Sequence, residues 1–326
     1  MAVYTALSKQ DIEQLLKQYD IGDLSDFQEI SSGIENTNYF VTTILQVGIS
    51  KRWVLTLFEN LEQADLPYFC DLTGHLQQDG FKVPAPLKNR SGECVFSLKD
   101  KAGVLVPCLL GASLENPDAK ACSLIAAYLA GMHLSLRTFS QHRTVERNTQ
   151  WMQQQLDRLE SKMSPIEFKL LDGYFRRYQA YQSHLQECPQ GTVHGDLFKD
   201  NVLFDSQGVS GIFDFYHACD ATLLFDLAVL ANDWALGEQG KYDKEKLVSL
   251  CDGYQSQRPW TNKEKQMWPF CLELAALRFW ISRLVSKHLP SYQQQSLSGE
   301  TIKDPDEMKV ILQALACSEE VMPSLF

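Results

Sequence analysis

Apolar residues recur along this chain with helical spacing in some stretches and as short unbroken runs in others. Near the start, Ile12, Leu15, Leu16 and Tyr19 follow a helical period behind Ser8, a capping residue, and Gly22 is placed to end that helix. Phe27–Ile30, Tyr39–Val41 and Lys51–Phe58 read as short strands. Leu66, Phe69, Leu72 and Leu76 form one face of a helix within 61–80. Two more strands are expected at Glu93–Leu98 and Ala102–Leu110, although Pro107 counts against the second as a regular central strand. Helices then dominate. One starts at Asn116 or at Pro117-Asp118 and reaches about Phe139, with a predicted stripe of Leu124, Ala127, Tyr128, Gly131 and Leu134. A polar connector over 140–150 precedes helices at Trp151–Ser161 and Ser164–Cys188. Residues 241–256, 261–290 and 303–320 also read as helices.

Between these helices lies a different pattern. Val202, Leu203 and Phe204 make an apolar run, Ser206, Gln207 and Gly208 carry turn chemistry, and Val209, Ile212 and Phe213 lie in a second run. An antiparallel hairpin returns the chain to its start, so Asn201 at its entrance and Asp214 at its exit are expected to be neighbours. His194 and Asp196 sit just before that entrance. Asp196, Asn201 and Asp214 therefore converge on one point. Asp and Asn oxygens are hard donors suited to Mg²⁺, and a further carboxylate can orient an attacking hydroxyl. The spacing H-x-D-x-x-x-x-N followed by Asp-Phe is the order of a kinase catalytic loop and metal-binding segment.

The 326 residues, 44% hydrophobic and 22% charged, supply ample core and are enough for two lobes, expected at 1–110 and 111–326. A net charge of −11 without a basic patch argues against nucleic acid as a partner. Nine scattered cysteines with no C-x-x-C pair fit reduced, mostly buried thiols and a cytoplasmic protein. No signal peptide is visible, and no apolar run approaches the roughly 18 residues of a membrane span. Oligomeric state is not legible.

Within the first lobe, Gly33, Asn36, Thr37 and Asn38 read as a polar turn between strands that offers donors to phosphates; an ordinary hairpin turn is the other reading. Kinases usually carry a Lys on the third strand. Here Trp53-Val54-Leu55-Thr56-Leu57-Phe58 puts Thr56 at that place. In the second lobe, Asp226 is expected to cap a helix or to tie down the catalytic loop. Asp233 and Trp234 are candidate substrate contacts, and an ordinary exposed Asp is the alternative for Asp233. Arg283 lies on a stripe with Glu273, Ala276, Trp280 and Lys287, where it could clamp a carboxylate or simply pair with a Glu. His133, alone on its helix, is given no role.

The strings HGDLFKDNVLF, IFDFY and FDLA followed by NDW resemble the aminoglycoside-phosphotransferase and choline-kinase type of protein-kinase-like enzymes. SGIENTNYFVTT, WVLTLFE, VPAPL, FDFYHACD and RFWISRL resemble more narrowly the bacterial homoserine kinases of that type, over nearly the whole chain. The resemblance implies an α+β, two-lobed protein-kinase-like fold, with a small β-rich N-lobe, a larger mainly helical C-lobe and ATP in the cleft. It implies ATP- and Mg²⁺-dependent phosphorylation of L-homoserine, in threonine biosynthesis. Carried over by motif, Asp196 is the catalytic base, and Asn201 and Asp214 are the Mg²⁺ ligands. His194 and Asp226 match loop-supporting positions. His194, with Asp233, Trp234, Arg278 and Arg283, is also a candidate substrate contact. Two alternatives stay open: a kinase of this fold for choline, methylthioribose or an aminoglycoside, and a nucleotide-binding module without turnover, which the missing strand Lys suggests.

Overall fold

Ser8 starts the first helix as its hydroxyl predicts. In the computed structural model, which describes residues 4–30, 36–46, 48–289 and 303–317, helix α1 spans Lys9–Leu16. Ser8 and Asp11 form a reciprocal capping box, with Ser8 Oγ accepting from Asp11 N–H at 3.2 Å and Asp11 Oδ2 accepting from Ser8 N–H at 2.8 Å. The helix stops at Leu16, short of Gly22. Gly22 instead leads the chain into the first strand at φ +91°, where a Cβ would stand 2.3 Å from the Ile44 carbonyl oxygen.

The chain divides into two compact units, the first running to Leu110 and the second starting at Gly111. The first unit holds strands β1 (Asp23–Glu29), β2 (Asn36–Ile44), β3 (Ser50–Phe58), β4 (Val95–Leu98) and β5 (Lys101–Pro107). They form one antiparallel sheet in the order β1-β2-β3-β5-β4. Strict alternation sends Tyr39, Val41, Trp53, Leu55 and Leu57 to one face, where they bury Ile12, Leu15 and Leu16 of α1. Lys99 and Asp100, at φ 51° and 60°, make the two-residue turn of the β4–β5 hairpin. Pro107 is the last paired residue of β5, opposite Trp53, so the strand ends three residues before Leu110. Helix α2 (Leu66–Gln78) follows a short 3₁₀ turn and buries the predicted Leu66, Phe69, Leu72 and Leu76.

The second unit is mainly helical. In chain order it contains α3 (Ala119–Ser135), α4 (Thr149–Leu159), α5 (Pro165–Gln186), β6 (Gln190–Val193), β7 (Val202–Asp205) and β8 (Gly208–Ile212). Then follow β9 (Cys219–Thr222), α6 (Leu224–Trp234), α7 (Lys244–Gln257), α8 (Asn262–His288) and α9 (Pro305–Cys317). Side chains of Asp118, Asn148, Ser164, Asp243 and Thr261 cap α3, α4, α5, α7 and α8. Helix α3 packs along α7, and α8 packs against α5, α6 and α9. Gly253 of α7 lies flush on α3: a Cβ there would stand 2.3 Å from the Ser123 carbonyl oxygen.

Two expectations need correction here. The buried face of α3 is Ala121, Cys122, Ile125, Ala126, Leu129, Ala130, Met132 and His133, while Leu124 and Leu134 are exposed. The helix is apolar nearly all round, so its period does not select a face. For the same reason Ala119–Thr138 is, by length and composition, apolar enough to cross a membrane, with a mean hydropathy of 1.3. Half of that stretch is buried within the protein, as in the core helix of a globular unit. Cys70, Cys122, Cys188, Cys219, Cys251 and Cys271 are buried, Cys94 and Cys108 are partly exposed, and none of these eight is in a disulfide.

Glu59, just after β3, gathers Thr37 Oγ1 at 2.7 Å, Thr5 Oγ1 at 2.8 Å and Lys101 Nζ at 3.1 Å. Burial raises its pKa, but the hydrogen bonds from Thr37, Thr5 and Lys101 outweigh that and hold it below the usual value. A carboxylate lowered in the folded state stabilises above its unfolded pKa, about 4.3, and loses that contribution as pH falls through the folded value. Glu59→Gln is therefore expected to lower the melting temperature at pH 7, with the two curves converging below about pH 4; parallel curves from pH 7 to pH 3 would remove Glu59 from the stability of this unit.

Candidate active site

Strand β6 delivers His194 directly. It pairs with β9, Val193 opposite Cys219, so the segment 194–218 leaves and re-enters the same two-stranded base. Inside that segment the predicted hairpin forms, Val202 opposite Ile212. One residue earlier, the Phe213 N–H donates to the Asn201 carbonyl at 3.1 Å. The ladder thus brings Asn201 beside the Phe213-Asp214 pair, as the spacing predicts. Asn201 also turns back to Asp196: its Nδ2 donates to the Asp196 carbonyl at 2.8 Å and to Asp196 Oδ2 at 3.2 Å. Asp214 has a left-handed backbone, φ 65° and ψ 57°, a conformation that non-glycine residues adopt at a cost and that marks sites where geometry is imposed.

The loop between His194 and Asn201 is held along its length. Asp226, fully buried in the first turn of α6, accepts from the His194 N–H at 2.6 Å through Oδ2 and from the Gly195 N–H at 2.8 Å through Oδ1. Of the two roles expected for Asp226, the structure shows the loop tie; it makes no cap hydrogen bond. Two turns on, Asp233 Oδ2 accepts from the Lys199 N–H at 2.6 Å. Seven residues are close to two helical turns, so both acids face the loop about 10 Å apart along the axis. Arg278 of α8, 5% exposed, donates through Nη2 to the Gly195 carbonyl at 2.7 Å. Its guanidinium stacks on Phe225 and Phe279, each 4.7 Å away, and Phe279 packs edge-on against Phe198 of the loop at 4.7 Å. Gly195 is required there by its φ of +83° and by the His217 carbonyl oxygen, which a Cβ would approach to 2.6 Å.

His194 couples the loop to the segment that ends in Asp214. Its Nδ1 accepts from the Asp196 N–H at 3.3 Å, and its Nε2 meets the Phe213 carbonyl at 3.0 Å. These partners assign the Nε2–H tautomer. Burial lowers the His194 pKa, which fits a neutral ring. Burial also pushes the Asp196 carboxyl upward, against the opposing pull of the Arg278, Arg147 and Lys303 charges. Asp226 feels the same burial, yet the hydrogen bonds from His133 and the Gly195 amide keep it below the usual carboxylate value. Burial, with Arg147 and Arg278 nearby, holds His217 well below its ordinary value. Arg278, Arg147 and Lys303 thus bring positive charge near Asp196 in a chain of net charge −11.

Not every candidate residue joins this cluster. Trp234 is 1% exposed and packs on Phe204 at 5.9 Å, inside the core rather than at a surface. Arg283 pairs with Glu307 of α9 at 2.6 Å and with the Asp304 carbonyl at 2.8 Å, the structural outcome foreseen as its alternative. Five residues separate Arg283 from Arg278, which puts them on different helix faces. Asp233 and His194 hold the loop itself. In the first unit, Asn36, Thr37 and Asn38 belong to β2 rather than to a turn. Thr37 is fully buried and committed to Glu59 and to the Tyr4 and Thr5 amides. Thr56 donates to Asn38 Oδ1 at 2.7 Å across the ladder. Gly33 lies outside the described residues. No local pattern singles out Arg147, or His133, which bonds the buried Asp226 carboxylate; around Gly195 only the H-G-D string carries a signal.

Residues 26–260 match the phosphotransferase enzyme family. The homoserine kinase of Methylobacillus flagellatus is 37% identical over 99% of this chain and 98% of its own. That of Neisseria meningitidis is 36% identical over 97% of this chain and all of its own. Among solved structures, an amicoumacin kinase bound to AMP-PNP and Ca²⁺ is similar with a TM-score of 0.72 at 14% identity, covering 97% of this chain and 96% of its own. A spectinomycin phosphotransferase bound to ADP follows with a TM-score of 0.62 at 13% identity, covering 95% and 99%. At those identities the structures speak for the fold alone, which is protein-kinase-like, with an antiparallel sheet and a helical unit. On the family match and the near-full-length relatives together, the chain belongs to the phosphotransferase enzyme family.

Proposed function

We propose that this chain is a homoserine kinase, transferring the γ-phosphoryl group of ATP to the side-chain hydroxyl of L-homoserine and so serving threonine biosynthesis. One observation carries the choice of acceptor: relatives named homoserine kinase are 35–38% identical over 96–99% of this chain. The loop geometry supports phosphoryl transfer, since Asp196, Asn201 and the Phe213-Asp214 pair meet around one hairpin.

In this reading Asp196 orients the acceptor hydroxyl and takes its proton late in the transfer. Asn201 and Asp214 would hold Mg²⁺. Asn201 fits, because its Nδ2 is committed to Asp196, which turns the amide oxygen away as a hard donor. No group of three or more His, Cys, Asp or Glu side chains among the described residues could cage an ion. A nucleotide-borne Mg²⁺ asks for less, because phosphates and water complete its shell. When bound, the ion would neutralise charge on the β- and γ-phosphates. Arg147, Arg278 and Lys303 lend the neighbourhood of Asp196 a positive charge that suits an acceptor bearing a carboxylate. Arg147, whose charge reaches Asp196, is the candidate for that contact.

The experiment is a panel: purified protein with Mg²⁺ and either ATP or GTP, offered L-homoserine, choline, methylthioribose, L-serine or kanamycin, with nucleoside diphosphate and phosphorylated product followed together. Selective turnover of L-homoserine is expected; turnover of another acceptor, or nucleotide binding with no turnover, would overturn the reading. Asp196→Asn is expected to lower kcat by about 10²–10⁴ with little change in KM for nucleotide, and near-wild-type turnover would remove it as the base. Arg147→Met is expected to raise KM for L-homoserine by roughly tenfold or more, the worth of one charge-assisted hydrogen bond. It should leave 3-amino-1-propanol, which lacks the carboxylate, unaffected. Equal effects on both acceptors would exclude Arg147 as the anchor.

A further inference from the structure

We propose that His133, on α3, is a positioning residue of the catalytic loop: it fixes the Asp226 carboxylate in the orientation that receives the His194 and Gly195 amides, and thereby sets where Asp196 stands. This rests on the assignment of Asp196 as the base above.

The geometry is a buried chain of three side chains. Asp226 is 0% exposed, so protein groups alone must satisfy its charge. Two of its donors are the loop amides, and the third is His133 Nε2, 3.1 Å from Oδ2. On its other side, His133 Nδ1 lies 2.8 Å from the Tyr254 hydroxyl on α7. Burial raises the Tyr254 pKa far above its ordinary value, so the phenol keeps its proton and donates it to Nδ1. That leaves the proton on Nε2, aimed at Asp226. Tyr254 reaches His133 because its neighbour Gly253 lets α7 lie flush on Ser123 of α3.

Losing the Nε2–H donor would leave one carboxylate oxygen bound only by a loop amide. The carboxylate is then free to rotate or to take up a proton, and either change weakens its grip on one amide. The Gly195 peptide is held from both sides, by Asp226 at its N–H and by Arg278 at its carbonyl. A shift of that peptide passes directly to Asp196, the next residue. Errors of about 1 Å in a reacting group cost on the order of 100-fold in rate. A histidine that merely filled space would need neither of its two nitrogen partners.

The test compares His133→Leu, His133→Gln and Tyr254→Phe with the wild type. It reads kcat, KM for both substrates, and amide hydrogen exchange across 192–198 in the free protein. His133→Leu is expected to lose roughly 100-fold in kcat, with both KM values within about threefold and the His194 and Gly195 amides exchanging at least tenfold faster. His133→Gln, whose amide can donate to the same oxygen, should recover to within about tenfold of wild type. Tyr254→Phe should fall between. A folded His133→Leu with wild-type kcat and exchange would overturn the proposal. So would a glutamine variant no better than leucine, or a loss confined to KM. If His133→Leu does not fold, Tyr254→Phe decides: losses in both kcat and protection support the proposal, and unchanged values overturn it. Exchange is read without substrate, so a wild type that turns over no L-homoserine would sink the kinase reading while the positioning test still gave its own answer.

Discussion

The structure around the hairpin depends on one buried carboxylate. Asp226 sits on α6 with no access to water, and its charge is tolerated because three donors point at it. Two of those donors are consecutive backbone amides of the loop, so satisfying the charge and shaping the loop are the same event. Helix α6 is itself pinned by Asn232, whose Nδ2 donates to the Leu272 carbonyl of α8 at 3.0 Å. With Asp233 two turns further on, α6 works as a rigid ruler against which three loop amides, those of His194, Gly195 and Lys199, are set.

Charge and strain follow from that arrangement. The loop needs a left-handed residue at Gly195 and tolerates one at Asp214. Both flank the neutral His194 ring, which joins the two segments through one acceptor and one donor nitrogen. Three cations act on Asp196 although the chain is acidic as a whole. An acceptor that carries its own carboxylate fits such a local field, whereas a polycationic acceptor would call for acids in the same place.

Much of the fold and the centre of the site were legible in the sequence. Ser8, Asp118 and Ser164 are caps whose side chains act on backbone three residues away, which is local chemistry. Asn201 and Asp214 are neighbours because a short hairpin leaves no other choice, and Asp196 is five residues from Asn201. The polarity of Thr37 points to a turn, whereas it lies in a strand with its hydroxyl satisfied by Glu59, 22 residues away. Trp234 and Arg283 carry the right chemistry for a substrate pocket, but a residue type does not say which way a helix is rotated.

Short-range pattern carried most of the elements, several of their caps, the loop and hairpin over 194–214 and, through those strings, the family, since each rests on interactions between residues close in the chain. Which face of α3 is buried, and with it the place of His133, was settled by long-range packing. That helix is apolar on all sides, so the choice falls to partners 93 and 121 residues away, Asp226 and Tyr254. The same holds for Arg278, whose function depends on a carbonyl 83 residues distant. Local period and propensity act over a few residues; the satisfaction of a buried charge is settled only when distant segments have packed around it.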